Sequence, residues 1–284
     1  MWESPRGVRL PVAMLCPAVL LLLLLTRGME TFRICAFNTH RLTLVKIAQV
    51  EVMDTLVRIV ARCDIMVLQE VVDPSDHAVA LLLRELNRSH KTQVLDSYVY
   101  HDQDDLFARE PFVAHFTLPS KVLPSLVLVP LHSTPKDVEK ELTALYDAFL
   151  DASQHWQNKD VILLGDFNAD CASLAKKRLS KLLLRTEPGF HWVIADGEDT
   201  TVRASTHCTY DRIVLHGERC QSLVQSAAAF DFASNFQLTE EEALKISDHY
   251  PVEVELNQAA RRIQPLSLAA LLFSLLPPEL ARVA

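Results

Sequence analysis

Polar side chains suited to metal, phosphate or proton chemistry terminate one apolar run of the sequence after another. The segment VILLGDFNAD, residues 161–170, begins as a buried strand and changes abruptly at Asp166 and Asn168. Other runs end in the same way, at Asn38, at Glu70, at His132 and close to the pair Asp248 and His249. Such strand ends gather at one edge of a sheet, so we expect these side chains to lie together.

The residue types in this set match the requirements of phosphate ester cleavage. The Glu70 carboxylate and the Asn38 amide suit a hard divalent cation, which takes oxygen ligands and bridges to phosphate oxygens. His132 and His249 could approach a phosphate from opposite sides, one activating water and the other protonating the leaving oxygen. Each histidine needs a carboxylate to fix its tautomer, and Asp211 in TYDR is a natural partner for one of them.

Each of these residues taken alone has an ordinary explanation. An Asp or Asn after a strand commonly caps a turn, and a single His beside a strand is commonly a surface or hydrogen-bonded core residue. The joint occurrence at several strand ends is harder to explain in this way, and it favours a catalytic site.

The elements that must position these residues alternate between strand and helix. Helical patterns cover residues 43–61 and the stretch that opens after Pro135 with acidic residues in its first turns. Apolar, β-branched runs typical of buried strands occupy residues 31–38, 63–71, 126–132, 160–168, 210–216 and 251–256. The alternation predicts an α/β domain in which sheet packs between helices.

Length and composition favour one large globular domain. The chain has 284 residues, of which 49% are hydrophobic and 23% charged, and its formal net charge is −8. This charge argues against a broad basic face for nucleic acid, because such binding depends on neutralising phosphates with Lys and Arg. If the substrate is a polyanion, divalent cations must supply part of the positive charge.

Both ends of the chain carry apolar segments. Residues 1–29 have the order of a secretory signal peptide, and an uncleaved signal anchor is the alternative; either one directs the chain into the secretory pathway. Residues 258–284 form a hydrophobic tail that resembles a glycolipid (GPI) anchor signal, with a plain amphipathic tail as the alternative. We therefore expect a secreted or cell-surface protein, with membrane attachment through this tail as one option.

Because the secretory pathway is oxidising, we expect cysteines of this chain to be able to form disulfides. Removal of Cys16 with the signal leaves an odd number. A bridge between Cys171 and Cys208 would close a long loop beside the candidate site. Cys35 and Cys63 lie in apolar strand-like runs and are predicted to be buried thiols, and Cys220 is a candidate free thiol.

The sequence resembles the deoxyribonuclease I family, within the larger group of endonuclease, exonuclease and phosphatase folds, and its deoxyribonuclease-I-like 1 branch most closely. The resemblance runs from about residue 32 to residue 256 and places the domain at residues 30–257. It rests on motifs that occur in this order: LQEV, LVPLHSTP, GDFNADC, CTYDR and SDHYPVEV.

The resemblance implies a layered sandwich of two β-sheets flanked by helices, and an endonuclease that cuts DNA with Mg²⁺ and Ca²⁺. His132 and His249 resemble the general acid and base, and Asp211 resembles the partner of His249. Arg109 resembles a phosphate-contacting arginine, and Cys171 and Cys208 resemble the structural disulfide of the family. The remaining matches are to residues that hold metal, or metal and the scissile phosphate: Asn38, Glu70, Asp166, Asn168 and Asp248.

The chain departs from the family pattern after residues 81–88, which run directly into SHKTQVLDSYVY. The family has an additional segment there, with strands and a catalytic glutamate that pairs with the histidine matching His132. We therefore expect weakened or absent activity, and a hazard for folding. The junction also creates an N-glycosylation sequon at Asn87. Two alternatives stay open: a phosphodiesterase acting on a non-DNA substrate, and a non-catalytic protein that binds a partner or DNA.

Overall fold

Two β-sheets pack face to face between layers of helices in the computed structural model, which describes residues 31–75, 77–86 and 92–257. The strands are β1 Thr31–Leu42, β2 Ile65–Val71, β3 Val94–Val99, β4 Phe112–Thr117, β5 Ser125–Pro130, β6 Val161–Asp166, β7 Phe190–Trp192, β8 Asp211–His216, β9 Val224–Ala229 and β10 Val252–Asn257. The helices are α1 Leu44–Ile47, α2 Val50–Val60, α3 His77–Leu86, α4 Val138–His155, α5 Lys176–Leu179, α6 Leu183–Thr186, α7 Glu218–Ser222, α8 Phe232–Phe236 and α9 Glu240–Ile246. The two-sheet sandwich expected from the sequence is confirmed.

The sheets differ in width. Among the described residues, one sheet has four strands in the order β2-β1-β10-β9, and the other has six in the order β3-β4-β5-β6-β8-β7. β1 packs against β6, and β10 packs against β8. The centres of the two sheets therefore face each other.

Burial on both faces explains why the sequence of the central strand β6 is an almost continuous apolar run. Val161 and Leu163 pack toward α4, whereas Ile162 and Leu164 pack between the two sheets. A strand buried on both faces reads as a continuous apolar run, not as an alternating one. A third cluster lies between the four-stranded sheet and helices α2 and α3.

Strand register brings the polar ends together. β1 and β2 run parallel with Asn38 opposite Gln69, so Asn38 lies next to Glu70. β5 and β6 run parallel with Pro130 opposite Leu164, so His132 follows at the level of Asp166. β6 and β8 are antiparallel, and Asp166 pairs with Asp211. The polar residues therefore lie together as expected, but they come from both sheets and not from one edge of a single sheet.

The prediction for Cys35 and Cys63 is wrong, because these residues form a disulfide with a Cα–Cα distance of 6.1 Å. The apolar surroundings correctly indicated burial of Cys35 but did not reveal the partner. Pairing follows from register, since the backbone amide of Asp64 donates to the carbonyl of Arg33 and draws the start of β2 against β1. The disulfide between Cys171 and Cys208 is present, and Cys220 is a buried free thiol.

Three sequence predictions fall outside the described residues: the signal peptide at 1–29, the tail at 258–284 and the sequon at Asn87. Within the described ranges, no helix has the length and apolar character needed to cross a membrane.

The Cys35–Cys63 bridge yields a stability prediction. The bonded residues are 28 positions apart, and a loop of that length restricts the unfolded chain enough to stabilise the fold by about 3 kcal/mol. We expect Cys35→Ser to lower the free energy of unfolding by that amount in urea denaturation of the purified protein. The double variant with Cys63→Ser should lose no more than either single variant. Additive losses would show that the two cysteines act separately.

Candidate active site

Four side chains meet near the C-terminal ends of β2 and β6, where the chain leaves β5 and beside Asn38 within β1. The Asn38 amide nitrogen donates to Glu70 Oε1 at 3.2 Å and to Asp166 Oδ2 at 3.1 Å. His132 Nε2 lies 3.7 Å from Glu70 Oε1 and 3.6 Å from Asp166 Oδ2. Asn38 and Asp166 are buried, so their polar groups interact in a medium of reduced dielectric. The predicted residues Asn38, Glu70, His132 and Asp166 therefore form one cluster.

Gly165 explains why the apolar strand changes character at that point. Its φ is +129°, and a Cβ there would lie 2.4 Å from both Gln69 Nε2 and the Leu131 carbonyl oxygen. The Gln69 side chain occupies this space. Its Nε2 donates to the Leu131 carbonyl at 2.7 Å, and its Oε1 accepts from the Asp166 amide at 2.8 Å. Gln69 thus fixes the backbone of Asp166, a role that sequence reasoning missed.

Asn168 is held in the left-handed region with φ of +48°. Its backbone amide donates to Asp166 Oδ1 at 3.0 Å, and its side-chain amide donates to the Ser133 carbonyl at 3.0 Å. Asn168 therefore ties the loop after β6 to the loop that carries His132.

His249 and Asp211 form the tightest pair in the site. His249 Nδ1 and Asp211 Oδ2 are 2.7 Å apart, and Asp211 is fully buried. This contact directs Nε2 toward the centre, where it lies 3.8 Å from Asp166 Oδ2 and 4.0 Å from Asp248 Oδ1. A histidine whose Nδ1–H is held by a carboxylate presents Nε2 as its reactive nitrogen. The predicted pairing of Asp211 with His249 agrees with this geometry.

His132 lacks an equivalent partner within the described part of the chain. Its ion pairs there all involve Nε2, and no carboxylate oxygen of the described residues lies within 4.0 Å of Nδ1. Arg109 is exposed at the rim, and its Nη1 donates to the His132 carbonyl at 3.2 Å. Arg109 therefore braces the backbone of His132, and its exposed guanidinium lies beside the cluster.

Asp248 lies further out than Asp166, on the side of the site formed by the end of β1. Its Oδ1 is 3.5 Å from Nδ1 of His40, which was not singled out from the sequence. Lys46 Nζ donates to the carbonyls of Thr39 and His40 at 2.7 and 2.8 Å and holds this turn in place. Burial lowers the pKa of Lys46 to about 8. Sequence reasoning missed Lys46, because its hydrogen bonds are to backbone carbonyls, which no residue type marks.

The electrostatic environment differs between the two histidines. Burial lowers the pKa of His132, and the charge of Arg109 lowers it further, against the opposing effect of Asp166. Burial also acts to lower the pKa of His249, but the Asp211 carboxylate outweighs it with help from Asp166 and raises the pKa to about 10. Burial and the nearby Asp211 raise the pKa of Asp166. The site thus holds several charged groups that water does not fully screen.

Two sets of side chains could contact a divalent cation. Ligand atoms of Asp166, Asp211 and His249 all lie within 4.8 Å of one another. Binding through Nδ1 of His249 would break its 2.7 Å contact with Asp211, so we regard these two as a proton-handling pair. The carboxylates of Glu70 and Asp166 remain as oxygen ligands of the kind that Mg²⁺ and Ca²⁺ prefer. Asp211 Oδ1 is buried and has no hydrogen-bond partner among the described residues. Buried carboxylate oxygens are normally paired, so this atom lacks a donor or cation beside the carboxylates of Glu70 and Asp166.

The family model described as the Endonuclease/Exonuclease/phosphatase family matches residues 44–249. The chain belongs to this family. Within it, the chain is 69% identical to human deoxyribonuclease-1-like 1 over 299 positions, covering 94% of this chain and 99% of the relative. The mouse deoxyribonuclease-1-like 1 is 67% identical over 287 positions, covering 92% of this chain and 91% of the relative. Human deoxyribonuclease gamma is 37% identical over 277 positions, covering 85% and 91%.

Solved structures of the family share the fold at low sequence identity. TDP2 of D. rerio, complexed with a single-strand DNA product, has a TM-score of 0.57 and 16% identity, covering 80% of this chain and 99% of that one. An endonuclease/exonuclease/phosphatase from Bacteroides vulgatus has a TM-score of 0.56 and 16% identity, covering 81% and 99%. These similarities show the fold alone.

The alignment with the human relative also bears on the shortened region. It spans 299 positions, of which this chain fills about 267, so about 30 residues of the relative have no counterpart here. A shortfall of this size agrees with the absence of an internal segment.

The crowding around Gly165 predicts a selective loss of stability. Gly165→Ala should lower the free energy of unfolding by at least about 3 kcal/mol, because the new methyl group displaces Gln69 or Leu131 in addition to straining the backbone. Gly197→Ala is the matched control, since Gly197 has φ of +94° but nothing within 4 Å of the added Cβ, and it should cost about 1 kcal/mol. Equal losses in urea denaturation would contradict the steric role of Gly165.

The pairing of His249 with Asp211 predicts a change in titration. In Asp211→Asn the buried imidazolium loses its main stabilising charge, so the pKa of His249 should fall from about 10 to the ordinary value near 6.5 or below. NMR titration of the imidazole in chelator measures this directly. An unchanged His249 pKa would exclude Asp211 as its partner.

Proposed function

We propose that this protein is a divalent-metal-dependent endonuclease that hydrolyses phosphodiester bonds of DNA. The observation that carries the proposal is the Asp211–His249 pair, which directs Nε2 into a cluster of carboxylates at the ends of the strands. Relatives named deoxyribonucleases, at up to 70% identity, support DNA as the substrate.

Mg²⁺ and Ca²⁺ are the proposed cofactors. Glu70 and Asp166 would hold the cation, with Asn38, Asn168 and Asp248 completing the surroundings that position it and the phosphate. A bound cation neutralises phosphate charge and polarises a phosphoryl oxygen. This contribution suits a chain of net charge −8, which offers little positive charge of its own to a polyanion.

The two histidines supply proton transfer. Asp211 fixes the His249 ring so that Nε2 exchanges a proton at the phosphate, and His132 Nε2 lies 3.6 Å from Asp166 Oδ2, the oxygen that His249 Nε2 also approaches. Arg109 at the rim would contact a phosphate oxygen of the substrate, and Asn168 keeps the loops after β5 and β6 at a fixed separation.

The activity we propose is reduced relative to that of a complete site. His132 has no orienting carboxylate in the described ranges, and the loss of such support costs on the order of 10 to 100-fold. The intact His249–Asp211 pair favours residual catalysis over a purely binding role. No feature of the described residues favours a non-DNA substrate.

We also propose a route through the secretory pathway. The two disulfides are the supporting observation, because such bonds persist in oxidising compartments. Attachment to a membrane through residues 258–284 is part of this proposal and rests on the sequence alone.

Plasmid nicking by the purified chain tests the function. With Mg²⁺ and Ca²⁺ present, supercoiled plasmid should convert to nicked circles, chelator should abolish the conversion, and added Mg²⁺ should restore it. Cleavage that persists in chelator would refute the metal requirement. A folded chain with no cleavage under any of these conditions would refute the proposed endonuclease activity.

Among the described residues a carboxylate orients His249 but not Nδ1 of His132, so we expect substitutions of the two histidines to lower the nicking rate by different amounts. His249→Ala and Asp211→Ala should each lower the nicking rate by at least about 100-fold, because they remove an oriented proton-transfer group. His132→Ala should lower it by only about tenfold or less, because that ring already lacks its carboxylate. His155→Ala, at the C-terminal end of α4 beside Asp96 and Tyr98 of β3, is the control and should leave the rate unchanged. A larger loss for His132→Ala than for His249→Ala would contradict this order.

A further inference from the structure

One short stretch concentrates positive charge in a chain that is acidic as a whole. Residues 171–186 contain five Lys and Arg, all of them within 176–185, and no Asp or Glu. The full chain has 28 Lys and Arg in 284 residues and a formal net charge of −8. The local charge of this stretch is therefore opposite to that of the chain.

The hydrophobic core holds this stretch in place. Four buried leucines of the stretch pack in the same cluster as α4: Leu174, Leu179, Leu182 and Leu184. Four of the charged side chains between and beside them are exposed: Lys176, Lys177, Arg178 and Lys181. The buried leucines fix the backbone, so the cations are presented on a packed surface.

Two of the five cations are paired with carboxylates. Arg178 Nη1 donates to Glu139 Oε2 at 2.9 Å, and Arg185 Nη2 donates to Asp196 Oδ1 at 2.6 Å. The remaining three form no ion pair with the described residues, and we call them the lysine ridge: Lys176, Lys177 and Lys181. The lysine ridge thus carries the surplus positive charge of the stretch.

The lysine ridge begins beside the loop that carries Asn168. Burial acts to raise the pKa of Asp170, but backbone hydrogen bonds and the charges of Arg212 and Lys176 outweigh burial and lower this pKa. A charge acts in this way only over a short distance, because salt screens longer ones. Lys176 therefore lies near Asp170, two residues after Asn168.

A groove of about 520 Å³ connects the surroundings of the lysine ridge with the candidate active site. Its walls include Arg178, which follows Lys177, and three segments at Leu106, Lys136 and Ser173. These segments lie three, four and five residues in sequence from the site residues Arg109, His132 and Asn168. Each of the three segments is thus continuous with a residue of the site.

The groove itself has balanced charges. Three cations and three anions line it: Lys136, Lys140, Arg178, Asp137, Glu139 and Asp147. The surplus positive charge therefore lies on the lysine ridge, next to Arg178 at the groove wall.

A polyanion held at the site would gain from this arrangement. Duplex DNA carries one negative charge per about 1.7 Å of helix axis, so an acidic protein repels the phosphates on either side of the reacting one. The lysine ridge lies at the end of a path that starts at the site, and there the flanking phosphates meet cations. This continuity favours DNA over an anionic membrane as the partner.

We propose that the lysine ridge binds phosphates of the DNA backbone outside the candidate active site, and that the groove guides the strand between the two. The lysine ridge raises affinity for DNA without contacting the reacting phosphate. This inference rests on the proposed function for its substrate, but binding to the ridge is measurable without cleavage.

The first test measures binding by the full chain in chelator, through the fluorescence anisotropy of a fluorescein-labelled duplex of about 20 base pairs, or two helical turns. Lys177→Gln combined with Lys181→Gln should weaken binding several-fold. The slope of log affinity against log salt should fall in magnitude by about 2, because two phosphate contacts are lost.

Lys121→Gln combined with Lys159→Gln is the matched control, because it removes the same charge. Both lysines are exposed, and they precede β5 and β6 at the end of the six-stranded sheet opposite the site. This control should leave affinity and slope unchanged. Equal slopes for the two double variants, or no binding in chelator at low salt, overturn the lysine ridge.

Plasmid nicking with Mg²⁺ and Ca²⁺ separates the lysine ridge from the reacting groups. The Lys177 and Lys181 double variant should raise KM several-fold and leave kcat unchanged, because the lost contacts hold substrate and transition state equally. A lower kcat with an unchanged KM overturns the flanking position of the ridge.

The remaining outcomes distinguish this inference from the proposed function. Nicking by a chain whose two double variants bind DNA equally overturns the lysine ridge and leaves the endonuclease. Ridge-dependent binding by a chain that nicks no DNA refutes the endonuclease and supports the ridge. Sedimentation with vesicles of phosphatidylserine and phosphatidylcholine tests the other partner. Vesicle binding that the Lys177 and Lys181 double variant weakens, without a change in the DNA slope, overturns the inference in favour of a membrane.

Discussion

The position of Asp166 between the two sheets is the constraint on which the rest of the site depends. Its backbone amide is bound by Gln69 from the four-stranded sheet, and its carboxylate receives the Asn38 amide from the same sheet. Its own strand belongs to the six-stranded sheet, where it pairs with Asp211. Each of the other central groups is placed relative to this one carboxylate. A change in the separation of the sheets would therefore disturb the proposed metal binding and the proposed proton transfer together.

The two histidine rings are oriented to different degrees by their surroundings. His249 is fixed from behind by a fully buried carboxylate, so its orientation is set before any substrate arrives. His132 is held through its backbone, because Arg109 donates to its carbonyl, and within the described ranges the ion pairs of its ring are with Glu70 and Asp166 through Nε2. One side of the site is thus preorganised and the other is not. Preorganisation matters because catalysis is lost when a reactive group must be ordered during the reaction.

Sequence reasoning located most of the central residues because their chemistry is unusual at the end of an apolar run. Asp166, Asn168, His132 and Glu70 stand out in this way, and the family resemblance added Asp211 as the partner of His249. Gln69 and Lys46 could not be found, since both act through backbone groups whose proximity depends on register. The same limit explains the Cys35–Cys63 pair, in which composition indicated burial but only the β1–β2 register reveals the bond.

The Cys171–Cys208 bridge has a consequence beyond stability. Cys171 follows Asn168 by three residues, and Cys208 precedes Asp211 by three residues, so the bond joins the loop after β6 to the start of β8 immediately behind the reactive groups. Reduction of this bond alone would free both loops, while the strands that carry them stay paired in the six-stranded sheet. The architecture would then remain and the alignment of the site would be lost. An oxidising environment would in this way be a condition of activity and not only of stability.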